Sequence, residues 1–255
     1  MKIKDAFNNK KAFIAFITCG DPDIETTEKL IVEMSRSGAD LIELGIPFSD
    51  PTAEGPVIQA ANMRALSNGT TTDKIFDMVK RVRKDVDTPM VFMTYANVVF
   101  SYGTENFCKT AAEIGMNGLI LPDTPFEEKK EFALPCKKYG LEFISLIAPT
   151  SRDRIKMIAE DAEGFVYCIS SLGVTGMRNV ITTDVGGMIS AVKSVTDIPT
   201  AIGFGISTPE QAASMAEKSD GIIIGSAIVK IIEKYGRDCI PHVKAFTKSI
   251  RNALK

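Results

Sequence analysis

Eight short apolar runs recur along the chain, each rich in β-branched or aromatic side chains: "AFIAFIT", "LIEL", "MVFMTY", "GLILP", "EFISLIA", "FVYCIS", "TAIGFG" and "GIIIGS". The segments between them carry helical periodicity and helix-starting signals. Asp23 precedes "IETTEKLIVEMSRSG", Thr72 or Asp73 precedes "KIFDMVKRVRK", and Ser207-Thr208-Pro209 precedes "EQAASMAEK". Strands that are apolar throughout, rather than alternating, belong to a parallel sheet with both faces covered. Eight strand–helix units of even spacing predict an α/β fold, a single (β/α)8 TIM barrel, and no linker, low-complexity tract or charge block divides residues 1–255 into more than one domain. A doubly wound open sheet is the rival, but only "CGDPD" follows the first run, where a dinucleotide fingerprint would need G-x-G-x-x-G.

Composition removes several functions. Thirty Lys and Arg nearly balance thirty-two Asp and Glu, for a net charge of −2, so no global field favours nucleic acid or an anionic membrane. Five cysteines, widely spaced and without a C-x-x-C pair, argue against a disulfide framework or a zinc knuckle and for a reducing cytoplasm. The N-terminal "AFIAFITCG" reads as a first core strand rather than a targeting segment, because Asp21 and Pro22 follow at once and no apolar run approaches the ~18 residues of a membrane span. The single histidine, His242, follows Pro241 in a stretch that reads as a C-terminal helix. Serine–histidine triads and multi-histidine metal sites are therefore not expected, no metal is expected, and acid–base work falls to carboxylates, tyrosine, lysine or cysteine.

A barrel places its active site at the carboxyl ends of its strands, so polar and small residues there carry the functional signal. Strand side chains alternate, which sets Leu41, Glu43 and Gly45 on one face and Ile42 and Leu44 on the other. With Ile42 and Leu44 against helices, Glu43 points into the barrel mouth, where apolar surroundings raise a carboxyl pKa toward neutrality. The following "PFSDPTAEGP" is too rich in proline and turn formers for a helix, and its stiffness would hold Glu54 over the same mouth. Late in the chain come "SLGVTG" (171–176), "GFGIS" (203–207) and "GSAIVKIIEKYG" (225–236), after the sixth, seventh and eighth runs. Glycines let backbone N–H groups approach an anion, and Gly225-Ser226 opens a helix whose positive end favours phosphate, so the three stretches together describe a phosphate site. Phe16, Met93, Tyr95, Ile58 and Tyr167 lie at or near the predicted strand ends and would wall an apolar slot for an aromatic group.

These motifs resemble, over essentially the whole chain and in order, the α subunit family of tryptophan synthase: "GDP" (20–22), "ELGIPFSDPTAEGPVIQ" (43–59), "YANVVFSYG" (95–103), "LPDTP" (121–125), "GVTG" (173–176), "GFGIS" (203–207) and "GSAIVKIIE" (225–233). The resemblance implies a barrel that cleaves indole-3-glycerol phosphate to indole and glyceraldehyde 3-phosphate. It implies a cytoplasmic heterotetramer (α2β2) in which indole passes to a β subunit, with PLP in that partner and no cofactor in this chain. Glu43 matches the family's catalytic glutamate, and Glu54 the second acid, which in many members is an aspartate bonded to the indole N–H. Gly176, Gly205, Gly225 and Ser226 match phosphate contacts, and Phe16, Ile58, Met93 and Tyr167 match walls. Thr175 matches a threonine of the loop that closes over substrate, and Asp50 the region that signals to the β subunit. Ser171 stands where many members carry an arginine. The alternatives are another phosphate-binding barrel enzyme, which would not explain "ELGIPFSDPTAEGP", a stand-alone lyase that releases indole, and a non-catalytic partner that only activates a β subunit.

Overall fold

The structure is a computed structural model that describes residues 2–8, 10–149, 151–169, 185–203 and 205–254. Its strands are all parallel: β1 (Ala12–Thr18), β2 (Leu41–Gly45), β3 (Met90–Met93), β4 (Gly118–Ile120), β5 (Glu142–Phe143), β6 (Ser145–Ile147), β7 (Val166–Ile169), β8 (Thr200–Gly203) and β9 (Gly221–Ile224). They run in the order β5-β4-β3-β2-β1-β9-β8-β7-β6. The two ends of that order are separated in the chain by Ile144 alone, so the sheet closes on itself as a (β/α)8 barrel. The fifth expected run, "EFISLIA", is thus one strand broken in the middle: its first half pairs with β4 and its second with β7.

Alternation along the strands divides the interior into two cores. Ile14, Phe16, Leu41, Val91, Met93, Ile120, Ile144, Phe165, Tyr167, Ala201 and Ile223 fill the barrel, while Phe13, Ala15, Ile17, Ile42, Leu44, Phe92, Leu119, Val166, Ile202 and Ile222 pack outward against helices. The expected placing of Leu41 inside and of Ile42 and Leu44 outside is what the packing shows. A 3-10 turn at Ile3–Phe7 plugs the amino-terminal end: Ile3 and Ala6 join the inner core and the Phe7 ring lies 5.7 Å from that of Phe165.

The helix starts follow local chemistry. Asp23 caps Ile24–Ser37 by accepting from the Thr26 N–H, and Thr208 caps Pro209–Ala216 by accepting from the Gln211 N–H. At the third helix the cap is Thr71, one residue before the two expected positions, and it accepts from the Lys74 N–H. His242 lies in the Ile240–Ala253 helix and stacks on Tyr235, with ring centroids 3.5 Å apart. All five cysteines are buried free thiols. No helix among the described residues is long and apolar enough to cross a membrane.

Candidate active site at the carboxyl end of the barrel

Register places the two carboxylates at the same end. On β2, Glu43 pairs with Phe16 of β1 on one side and Val91 of β3 on the other, both inner-core residues. Glu43 is 1% exposed, and neither carboxyl oxygen has a hydrogen-bond partner among the described residues. An orphaned buried acid is costly when charged. Burial, with the neighbouring Glu54 charge adding to it, pushes its pKa up to about 8. The chain therefore holds a transferable proton in an apolar mouth at neutral pH.

Glu54 reaches the site from the loop after β2. As expected, residues 47–55 are not helical, and a helix begins only at Pro56, with Pro at its first position. Several bonds hold the end of this loop, one of them from the Thr52 backbone to the Tyr95 hydroxyl. The Tyr95 hydroxyl accepts from the Ala53 N–H at 3.1 Å, the Gln59 side chain donates to the Glu54 carbonyl at 2.7 Å, and Asn62 Nδ2 donates to Glu54 Oε2 at 2.7 Å. Phe48 packs on the Tyr95 ring at 5.3 Å and anchors the loop further. Burial raises the Glu54 pKa to about 7, against the Asn62 bond, which lowers it.

Phe16, Met93, Tyr95, Ile58 and Tyr167 are all buried, and all but Tyr95 belong to the inner core. Ile58 is not at a strand end, however. It lies on the Pro56–Ser67 helix, whose buried face is Ile58, Ala61, Asn62 and Ala65. Asn62 is the residue that sequence reasoning passed over. Its signal was an amide at a position of a helical apolar stripe, where a hydrophobe is the norm.

Two glycines seat the Phe16 ring. A Cβ on Gly45 would lie 2.7 Å from Phe16 Cζ, and one on Gly225 would lie 3.0 Å from Phe16 Cδ1. Likewise a Cβ on Gly203 would lie 2.6 Å from the Tyr167 ring. Gly205 has φ +83°, a left-handed conformation suited to glycine, and follows β8. Gly225 caps the Ser226–Tyr235 helix and follows β9, so Gly205, Gly225 and Ser226 succeed neighbouring strands at the end where Glu43 lies. The start of that ten-residue helix presents backbone N–H groups and the positive end of its dipole, a setting that favours an anion. Gly176, Thr175 and Ser171 lie outside the described residues. Asp50 is exposed on the loop that carries Glu54, where it accepts from Ser49 Oγ. Among the described residues no group of three or more His, Cys, Asp or Glu is placed to hold a metal ion.

A parallel barrel with two buried carboxyls among aromatic side chains, and a helix N-terminus at the same end, has the layout of a barrel enzyme. The family model for the tryptophan synthase alpha chain matches residues 3–255. A tryptophan synthase alpha chain from Lacticaseibacillus casei is 48% identical over 253 residues, covering 99% of this chain and 95% of that one. Tryptophan synthase subunit alpha from Legionella pneumophila str. Paris matches in structure with a TM-score of 0.90 at 39% identity, covering 100% of this chain and 98% of that one. A chain of the tryptophan synthase complex from Pyrococcus furiosus matches with a TM-score of 0.88 at 33% identity, covering 95% of this chain and 98% of that one. The chain belongs to the tryptophan synthase alpha chain family.

Proposed function

We propose that this chain performs its family's reaction with Glu43 moving the protons and Glu54 holding the indole nitrogen. The chain is a carbon–carbon lyase: it cleaves indole-3-glycerol phosphate to indole and glyceraldehyde 3-phosphate, and the indole passes to a β subunit for tryptophan synthesis. The bond broken joins indole C3 to the glycerol carbon that bears a hydroxyl. A proton from Glu43 at C3 makes the ring an electron sink. Removal of the hydroxyl proton then turns that oxygen into the aldehyde carbonyl, and the electrons of the breaking bond restore the aromatic ring. Glu43, ionised by its first transfer, is the base for the second, so it ends the cycle protonated as it began.

As C3 is protonated, positive charge develops at the ring N–H, and a Glu54 carboxylate bonded there is worth more in the transition state than in the ground state. Phe16, Ile58, Met93 and Tyr167 wall the indole. Gly205, Gly225 and Ser226, with Gly176, take the phosphate, and Thr175 belongs to the closing loop. The chain acts as one domain within an α2β2 tetramer in the cytoplasm, with Asp50 and its loop facing the β subunit. PLP belongs to that partner, and this chain supplies no cofactor.

The observation that carries the reading is the buried Glu43 carboxyl, unpartnered at both oxygens among the described residues and beside Glu54 in an apolar mouth. The test is indole release from indole-3-glycerol phosphate by the purified chain, with and without a β subunit. We expect slow release accelerated by the β subunit. No release in either condition from folded protein overturns the assignment.

A further inference from the structure

We propose that Asn62 is a positioning residue for Glu54: its amide holds one carboxylate oxygen and turns the other toward the substrate N–H. This rests on the reading of Glu54 above and adds a residue to it. Asn62 is 3% exposed and sits two turns into the Pro56–Ser67 helix, on the buried face it shares with Ile58 and Ala61. Helical side chains lean toward the N-terminus, which aims the amide back at the loop that precedes its own helix. There Nδ2 meets Glu54 Oε2 at 2.7 Å, with Glu54 itself 7% exposed.

The contact differs in kind from the other bonds that hold this loop. Tyr95 and Gln59 bind backbone atoms at Ala53 and Glu54, and so place the chain. Asn62 alone among the described residues bonds the Glu54 carboxylate, and so places the reacting group. It also acts on protonation. Glu54 is faced by Glu43 from β2, by the Tyr95 hydroxyl from the end of β3, and by Asn62 from its own helix. No described cation contributes to its titration. The amide N–H is thus the group that opposes burial and favours the charged form, the form that can accept the substrate N–H.

The extra methylene that separates glutamate from aspartate is accommodated in the same way. A longer side chain has more rotamers to freeze, and a bond at its tip removes them. Asn62 thus fixes a reach that the stiff loop alone leaves open.

Two variants in the α–β complex and one spectroscopic titration test this. Asn62→Ala removes the donor, and Asn62→Asp keeps the volume while replacing the donor by a like charge. For both we expect kcat for indole formation to fall about tenfold with KM changed less than twofold, since a positioned carboxylate matters most in the transition state. Without the donor, Glu54 binds its proton more tightly, so the acid limb of the kcat–pH profile should move up by about one pH unit, and further for Asn62→Asp. A 13C NMR titration of the Glu54 side-chain carboxyl in the folded chain reads the same shift without turnover. An unmoved titration and an unmoved limb, in variants that still activate the β subunit, overturn the role of Asn62. Glu54→Gln is the control on the underlying reading. If it keeps full turnover while Asn62→Ala still shifts the Glu54 titration, the role of Glu54 in the reaction fails and the contact with Asn62 stands.

Discussion

The two ends of the barrel treat their carboxylates in opposite ways. At the amino-terminal end, Asp40 accepts from the Phe13 N–H at 2.8 Å and from Arg251 at 2.5 Å, and Lys10 pairs with its other oxygen. Arg251 is itself held by the Lys11 and Leu254 carbonyls. Asp220 is pushed up by burial, yet Lys193 and the Thr200 N–H and hydroxyl together hold it below the usual carboxylate range. At the carboxyl end, among the described residues, Glu43 has no hydrogen-bond partner and Glu54 has a single neutral one on its carboxylate. Matched charges are those of a scaffold, and unmatched ones are those of a site that waits for a substrate.

The largest effect that would break this contrast is at Glu43. Replacement by Gln keeps the shape of the protonated acid and removes its proton, and we expect kcat to fall by about 10³-fold. Stability should move the other way. The Glu43 pKa is raised from 4.5 to about 8 on folding. Its protonated form therefore contributes stability that is fully present below about pH 4.5 and lost as pH rises through about 8. Thermal unfolding of Glu43→Gln and parent should coincide near pH 4 and separate by roughly 5 kcal/mol in favour of the variant above pH 8. A variant less stable than the parent at high pH would mean that Glu43 is a structural acid after all.

The matching substitution at the other end should reverse the pattern. Asp40→Ala leaves the Arg251 guanidinium, 19% exposed, without its carboxylate and the Phe13 N–H without its side-chain acceptor. Breaking a buried pair from one side costs about 3 kcal/mol. We expect that loss in denaturant unfolding, with kcat within twofold of the parent. A tenfold fall in kcat would show that the ends are coupled through the barrel and that the contrast is only local.

Between these two cases lies what the sequence could and could not disclose. The inward aim of Glu43 was legible because strand alternation is a local property: once Ile42 and Leu44 face helices, Glu43 has nowhere else to go. The barrel was legible for a similar reason, as eight apolar runs between helical segments leave few parallel architectures. The break at Ile144 was not, since "EFISLIA" is apolar without interruption and only closure against β4 and β7 divides it. The helical setting of Ile58 was not legible because Pro56 was read as the end of a loop, whereas it is the first residue of a helix. Gly225 reads as an anion glycine and Gly45 only as a member of the face that carries Glu43, yet each also leaves room for the Phe16 ring, a demand that comes from a residue far away in the chain. Tertiary demands of this kind, Asn62 included, leave only a residue type out of pattern in the sequence.

Glu54 offers a finer test at the carboxyl end. With the loop held at Ala53 and the Glu54 carbonyl, Glu54→Asp withdraws the carboxylate by about one methylene from both Asn62 and the substrate. A misplacement of ~1 Å costs up to about 10²-fold in rate, and a loop that yields recovers part of it. We expect kcat for indole release to fall about tenfold with stability unchanged. Activity equal to or above the parent would show that the loop, rather than the side chain, sets the reach.

The smallest expected effect sharpens the comparison most. Lys10 is 44% exposed and shares Asp40 with Arg251 and the Phe13 N–H. An exposed lysine pairs through water-screened charge and gives up side-chain entropy to do so, which limits it to about 0.5 kcal/mol. Lys10→Ala should therefore cost far less than Asp40→Ala, and less still at high salt, because the buried acceptor keeps its guanidinium and its N–H. Equal losses from the two variants would mean that Asp40 depends on every donor it has. The amino-terminal end would then be balanced as finely as the mouth, and abundance of partners could no longer separate scaffold from site. A loss near zero for Lys10→Ala beside a large one for Asp40→Ala shows redundancy at one end of the barrel, where the other end gives Glu43 no hydrogen-bond partner among the described residues.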